Sequence, residues 1–308
     1  MVCNSRDYLK RRVWDYIFVG SGISTLTHVM YLLKRNPKLQ ILILEKHNVP
    51  GGYCSEFHRP KQSARFDCSM HKLTGMGDKG NLRTLFRELG LDNRISLQFS
   101  PVWFSVAGDK NLSLSADPRL TRQTLISRFS SDEEGIDHFF QDVTVHGTNS
   151  YMQFEIMLGN YEPNFKELRY AHRHLKTVSV RDAFQSRLKD PMLIEVLSLP
   201  TYYIGAFSEQ CAYLYFLHVV YASLHRKSAY MTGGSQKLSN YLVEEIDKRG
   251  GQVELKVEVE KIIIDEKSGL AKGVDTDKGQ FLAHKIVVNT SPLYAVSYTH
   301  LTLPTTRL

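Results

Sequence analysis

Long apolar runs are missing from this sequence of 308 residues. The longest, AYLYFLHVVYASL from Ala212 to Leu224, includes a histidine and falls short of the roughly 17 to 25 residues that a membrane-spanning helix requires. The charged start, MVCNSRDYLKRRVWDY, has no apolar segment behind it, so a secretory signal is not expected. Cysteine is scarce and scattered: Cys3, Cys54, Cys68 and Cys211 form no CxxC pair and have no histidine at ligand spacing. That argues against a disulfide framework or a zinc site and for a reducing compartment. Runs of one charge are absent too. A net charge of +7 comes from 39 Lys and Arg set against 32 Asp and Glu, scattered along the chain. This excludes the basic stripe that nucleic acid needs, while leaving a mild attraction for a dinucleotide or an anionic membrane surface. Neither a Ser-His-Asp set, a paired-carboxylate site nor a metal constellation presents itself, and there is no internal repeat.

What is present can build a core. Hydrophobic residues make up 42% and aromatic residues 11% of the chain, enough for one large or two ordinary domains. Trp14 to Val19 is an apolar run of strand formers, followed at once by Gly20-Ser21-Gly22. Then come Ile23, Leu26, Met30 and Leu33 at helical spacing, a stop at Asn36-Pro37, and a second buried-strand run, Gln40 to Leu44. Strand, glycine turn, helix and strand predict a βαβ unit with parallel strands. Further on, Asn81 to Leu91 reads as a short helix and Leu97 to Leu114 as antiparallel strands. Asp132 to Leu158 and Val178 to Leu224 read as mostly helical. Helix returns at Ser235 to Lys248, and Val253 to Asp265 alternates as one strand. Turns at Lys267-Ser268-Gly269 and Asp277-Lys278-Gly279 then close a small β-meander over Lys272 to Thr276 and Phe281 to Asn289.

A GxGxxG pattern alone is weak, and here Thr25 replaces the third glycine. Context strengthens it: the glycines follow a strand, open a helix, and Glu45 closes the next strand. Gly20 permits the tight turn, Gly22 lets backbone approach a pyrophosphate, and the helix from Ile23 aims its partly positive end at those phosphates. Glu45 would accept hydrogen bonds from ribose hydroxyls and repel a 2′-phosphate. Its replacement should remove that acceptor and leave the glycine turn intact. Gly51-Gly52, just downstream, offers a second bare stretch of backbone that a simple NAD enzyme does not need.

With these elements in hand, the sequence resembles the phytoene desaturase and retinol saturase group of flavoproteins, strongly over residues 14–78 and moderately over 226–292. Phe66-Asp67-Cys68-Ser69-Met70-His71 is similar to the group's FDxGxH segment, with Ser69 in place of glycine. Tyr230-Met231-Thr232-Gly233-Gly234 is similar to its YPxGG element, with Met231 in place of proline. The resemblance implies an α/β fold: a Rossmann-like FAD-binding domain (βαβ with β-meander) split into 14–78 and 230–295, around a discontinuous α+β substrate domain at 79–229, after an N-terminal extension at 1–13. It implies FAD held by Gly20, Gly22, Ile23, Ser24, Glu45, Lys46, Gly51, Gly52, Asp67, Gly233, Gly234 and Val259, with NAD(P)H as a candidate electron donor. Thr25 and Ser69 add bulk where the group keeps bare backbone, which should alter flavin affinity or geometry. His71 is the one histidine placed near the flavin, as a candidate catalytic residue, although a structural hydrogen bond is the commoner role for such a histidine.

The activity implied is hydride transfer at flavin N5 to or from a carbon-carbon bond of an apolar isoprenoid or polyene, giving desaturation, saturation or isomerisation. Two alternatives stay open: a non-catalytic isoprenoid carrier of the same fold, and a flavin amine oxidase. The aromatic cluster Tyr202, Tyr203, Phe207, Tyr213, Tyr215, Phe216 and Tyr221 suits either a substrate tunnel or an ordinary core. The expected setting is cytoplasmic, or peripheral on the cytoplasmic side of a membrane. Finally, Val296 to Thr305 (VSYTHLTLPT) matches the translation of a transposase-type sequencing adapter. Natural coding sequence is therefore expected to diverge near Ala295 and continue beyond it, and the tail at 296–308 is expected to be unpacked.

Overall fold

The computed structural model describes residues 12–107, 111–157, 161–291, 295 and 298. Strands β1 (Val13–Val19), β2 (Ile41–Glu45), β3 (Glu56–Arg59) and β4 (Ala64–Asp67) come first; β5 (Leu73–Thr74), β6 (Leu97–Phe99), β7 (Val102–Val106), β8 (Leu112–Ser115) and β9 (Ser228–Met231) follow. The chain ends its described part with β10 (Gln252–Leu255), β11 (Val259–Ile264), β12 (Ala271–Thr276) and β13 (Gly279–Val288). Two compact units result, one from the described residues up to His71 together with those from Thr232 onward, the other from Lys72–Met231.

In the first unit a six-stranded sheet has the order β10-β2-β1-β13-β12-β11. The strands β10, β2, β1 and β13 run parallel, and β11, β12 and β13 form an antiparallel meander. All five residues of β2 are buried, as a parallel strand covered on both faces demands. The first helix, Ile23–Arg35, buries Leu26, Val29, Met30 and Leu33, and the helix Gln236–Lys248, which packs against it, buries Leu238, Leu242 and Ile246. Trp14, Ile17 and Phe281 are fully buried in the sheet's core.

The single strand expected over Val253 to Asp265 is instead two, β10 and β11, at opposite edges of the sheet. Lys256 takes φ 59° between them. Its N–H donates to the His47 carbonyl at 3.0 Å, and the N–H of Val257 donates to the Glu45 carbonyl at 2.9 Å. The alternation of apolar residues runs through both strands, so periodicity alone cannot show the break. A lysine in left-handed backbone carries no turn signal in sequence.

The second unit is mainly helical. Four helices begin on capping side chains, with Asp117, Asn164, Ser179 and Asp190 accepting from N–H groups of the first turn. The helix Glu133–Asp142 runs into a π-turn at Val143–Gly147. Helix Tyr213–His225 sends Tyr213 and Phe216 into a core shared with Phe139 and Phe184. The Tyr213 hydroxyl donates to Asp142, which also pairs with Arg187. Small sheets complete the unit: β6 joins β5 on β9, whereas β7 pairs only with β8, so the alternating stretch from Leu97 to Leu114 divides between two sheets. The aromatic cluster divides as well. Tyr213, Phe216 and Tyr221 are buried core, while Tyr202, Tyr203, Phe207 and Tyr215 are exposed. Among the described residues, no helix is long and apolar enough to cross a membrane.

Candidate functional site

The carboxyl ends of β1 and β2 open into a cleft of about 480 Å³. Gly20 leaves β1 at φ 94° with its N–H bound to the Leu44 carbonyl at 2.8 Å. A side chain at this position would be strained by that φ, and its Cβ would lie 2.8 Å from the Asn289 carbonyl oxygen. Gly22 then serves as N-cap of helix Ile23–Arg35 with no capping side chain, and no acidic residue occupies the first turn. The helix therefore presents its N-terminal N–H groups and positive dipole end to the cleft, the local requirement for holding phosphate.

Glu45, 6% exposed at the end of β2, is the charged centre of the site. Its Oε2 accepts both the backbone N–H and the hydroxyl of fully buried Ser21, each at 2.8 Å, and its Oε1 accepts the His47 N–H at 2.9 Å. A carboxylate offers about four acceptor positions, so three are used in bracing the glycine turn and capacity for a ligand hydroxyl remains. Glu45 is thus part of the turn's own structure, contrary to the expectation that its replacement would leave the turn intact.

The second glycine pair packs on the first. The Gly51 N–H donates to the Ser21 carbonyl at 2.9 Å, and Gly22 and Gly51 form an isolated parallel bridge. A Cβ on Gly52 would lie 3.2 Å from the Gly22 Cα, while one on Gly51 would collide with Ser239 and Cys54. Bare backbone is required here for chain-on-chain contact as well as for a wall of the cleft. Beneath it, burial pushes the Cys54 thiol up from its ordinary value.

Thr25 does not line the cleft. Its buried side chain turns toward the sheet, where its hydroxyl accepts from Asn289 Nδ2 at 2.7 Å, and the Asn289 N–H donates to the Val19 carbonyl at 2.9 Å. The bulk expected to disturb the nucleotide is taken up by this bond, in the helix-to-strand space that the third glycine serves in the usual pattern.

Of the residues expected to hold a cofactor, Gly20, Gly22, Ile23, Ser24, Glu45, Lys46, Gly51, Gly52 and Val259 line the one cleft. Asp67, Gly233 and Gly234 do not. Asp67 accepts the Ser235 N–H at 2.8 Å, and Glu56 accepts the Gln236 N–H at 3.3 Å, so the two carboxylates cap a helix whose own N-cap residue, Ser235, contributes no side-chain bond. The space beside Gly234 is filled by the Glu56 side chain and that beside Gly233 by Lys237. His71 and Ser69 are exposed and outside the cleft lining. Tyr53, which the sequence did not single out, also lines it, as do Val257, Glu258, Asn289, Thr290 and Ser291, within the stretch 257–291 that resembles the group's returning adenine-side strands. Residues from Val296 onward lie outside the described ones except Tyr298, which packs half-buried against the sheet's core cluster and lines the cleft; that residue does not fit an unpacked tail.

In the second unit a hollow of about 260 Å³ is lined by Val106, Met192, Val196, Leu199, Tyr202 and Phe207. Arg181 pairs with Glu195 and Glu209 along it.

Comparison with known proteins agrees with this geometry. Residues 19–89 match the family described as NAD(P)-binding Rossmann-like domain. A phytoene desaturase of Cercospora nicotianae is 26% identical over 90% of this chain and 45% of its own length. Prolycopene isomerase 2 of an Oncidium hybrid is 22% identical over 90% and 48%. An all-trans-retinol 13,14-reductase of Macaca fascicularis is 25% identical over 93% and 48%. The chain spans about half the length of these curated relatives. Among solved structures, an oxidoreductase from Methanosarcina mazei has a TM-score of 0.63 at 15% identity, over 94% of this chain and 61% of that one. A single-site variant of putrescine oxidase has 0.62 at 19%, over 95% and 61%. A Rab GDI of Plasmodium falciparum has 0.58 at 11%, over 94% and 67%.

Proposed function

We propose, for a chain of the phytoene desaturase- and retinol saturase-like FAD oxidoreductase family, that its glycine-lined cleft holds FAD and that the protein acts on carbon-carbon bonds of an apolar isoprenoid or polyene. The observation that carries the cofactor assignment is convergence. An uncapped helix N-terminus, two interlocked glycine turns and a buried carboxylate with acceptor capacity to spare face one cleft. Each suits a different part of the nucleotide: N–H groups of Ile23 and Ser24 for the diphosphate, Glu45 for a ribose hydroxyl, and the apolar side chains of Val257 and Val259 for the adenine side. Bound flavin would supply the two-electron chemistry at N5.

The substrate class rests on the named relatives, which act on carotenoids and retinol by their descriptions. Desaturation, saturation and isomerisation all remain within the proposal, as does NAD(P)H as donor. A setting in the cytoplasm, or peripheral on the cytoplasmic side of a membrane, suits an apolar substrate. The test is reconstitution. The protein supplied with FAD should turn yellow, retain the flavin through gel filtration and bleach on reduction, and then convert a polyene in detergent. Protein that stays colourless refutes the cofactor assignment and favours the isoprenoid carrier. Flavin reduced by amines and not by polyenes favours the amine oxidase.

A further inference from the structure

The β3–β4 hairpin has one face tied down and one face bare. On the tied face Asp67 and Glu56 hold the first turn of helix Gln236–Lys248. On the other, Phe57 lies directly across from Phe66, the two rings stack with centroids 5.4 Å apart and planes 20° from parallel, and both are exposed, at 42% and 49%. The Arg59 guanidinium sits 5.4 Å over the Phe57 ring. Phe57, Arg59, Pro60, Lys61 and Phe66 together line an open groove of about 810 Å³. From Phe57 to Phe66 the sequence is FHRPKQSARF, with cations at Arg59, Lys61 and Arg65 and no acidic residue. Two stacked aromatic rings left in water beside concentrated positive charge call for an apolar, anionic partner.

We propose that this hairpin docks the protein on a membrane surface containing anionic lipid. Phe57 and Phe66 enter the zone between headgroups and acyl chains, and Arg59 and Lys61, which line the same groove, meet lipid phosphates. The charge pattern selects the partner's sign. The size of the apolar face selects its kind: two phenylalanines bury roughly 150–250 Å² each, far below the roughly 1,200 Å² of a stable protein interface. A bilayer needs only a shallow apolar wedge backed by several cations. Because Asp67 and Glu56 fix the hairpin to the nucleotide-domain helix, the wedge is held in a defined orientation. The proposal rests on the apolar-substrate reading for its purpose only, since the hairpin is outside the cleft lining.

The test is co-sedimentation of the full chain with phosphatidylcholine vesicles, with and without phosphatidylserine. Binding should require the anionic lipid. Phe57→Ser with Phe66→Ser, and separately Arg59→Gln with Lys61→Gln, should each weaken it about tenfold, while Lys267→Gln on the β11–β12 turn leaves it unchanged. Phe57→Trp should show blue-shifted emission on addition of the anionic vesicles. Wild type that ignores both vesicle types, or hairpin variants that stay folded by circular dichroism and bind as wild type does, would overturn the proposal. Retention on RNA without vesicle binding would also overturn it, in favour of a polyanion partner. FAD titration of the same preparations separates the two readings: hairpin variants should bind FAD normally, and a protein that binds anionic vesicles but no FAD refutes the enzyme and leaves the docking surface standing.

Discussion

Replacing Glu45 with Ala should damage the fold and the nucleotide site together, by amounts the structure bounds. The change strips acceptors from the Ser21 N–H, the Ser21 hydroxyl and the His47 N–H. The Ser21 N–H is fully buried and cannot turn elsewhere, so its loss costs about 1–3 kcal/mol. The hydroxyl can rotate to another acceptor, and exposed His47 can take water, so these two together add about 1 kcal/mol. Relief of the carboxylate's desolvation offsets part of the sum. A net destabilisation of about 2 kcal/mol is expected. On top of it, loss of the ribose acceptor should weaken FAD by about 1–3 kcal/mol, roughly 5- to 150-fold. Ser21→Ala, which removes only the hydroxyl bond, should cost about 1 kcal/mol of stability and weaken FAD less. The assay is urea unfolding by circular dichroism together with FAD titration by fluorescence quenching on the same preparations. Equal stability and equal affinity in Glu45→Ala would refute the reasoning. Lost stability with unchanged affinity would show that Glu45 braces the turn and that the ribose is held elsewhere.

Three further outcomes are expected. Gly20→Ala places a Cβ against the Asn289 carbonyl at φ 94°, whereas Gly90→Ala, at φ 74°, meets nothing within 4 Å. Thermal unfolding should therefore show the first substitution costing clearly more than the roughly 1–2 kcal/mol of left-handed backbone strain that limits the second, and equal losses would contradict the packing. Tyr213→Phe deletes one hydrogen bond to Asp142 and should cost about 1 kcal/mol. Asp142→Ala strands Arg187 and Tyr213 and should cost about 3 kcal/mol or more; the reverse order in urea unfolding would dismiss the network. Burial holds His218 below the ordinary imidazole value, and burial followed by the Arg226 charge does the same for His225. Such bases take up protons on unfolding, so stability should be full above pH about 7 and fall as pH drops through the unfolded value of about 6.5. A melting temperature that is flat or rising toward pH about 5 would count against it.

The βαβ unit was legible because its signals are local: two apolar runs, a glycine turn and a helical period within one short stretch. The break at Lys256 was not, since neither its identity nor the apolar alternation around it differs from a continuous strand. At the cleft, Gly20, Gly22, Glu45 and the second glycine pair could be placed from spacing. Gly233, Gly234 and Asp67 came from the resemblance alone and lie outside the cleft lining; a glycine signals that room is needed without showing what fills it, and here Glu56 and Lys237 fill the space beside the two glycines. Asn289 and the stretch 257–259 were placed on the adenine side by resemblance and not by any local pattern, because they reach the cleft through sheet pairing across nearly the whole chain.

That pairing has a consequence for the order in which the protein can form. Val13 finds its parallel partner at Leu282, and Leu42 pairs with Gln252, so β1 and β2, which pair with each other, each stay without their second neighbour until β10 and β13 have been synthesised. The helical unit, complete once Met231 has emerged, can settle before the sheet that encloses its chain ends in sequence. During that interval Trp14–Val19 and Ile41–Leu44 remain as exposed, strand-forming apolar runs, in the condition that favours aggregation and chaperone capture. The yield of folded protein should then respond to the rate of elongation between those two points more than to the intrinsic stability of either unit.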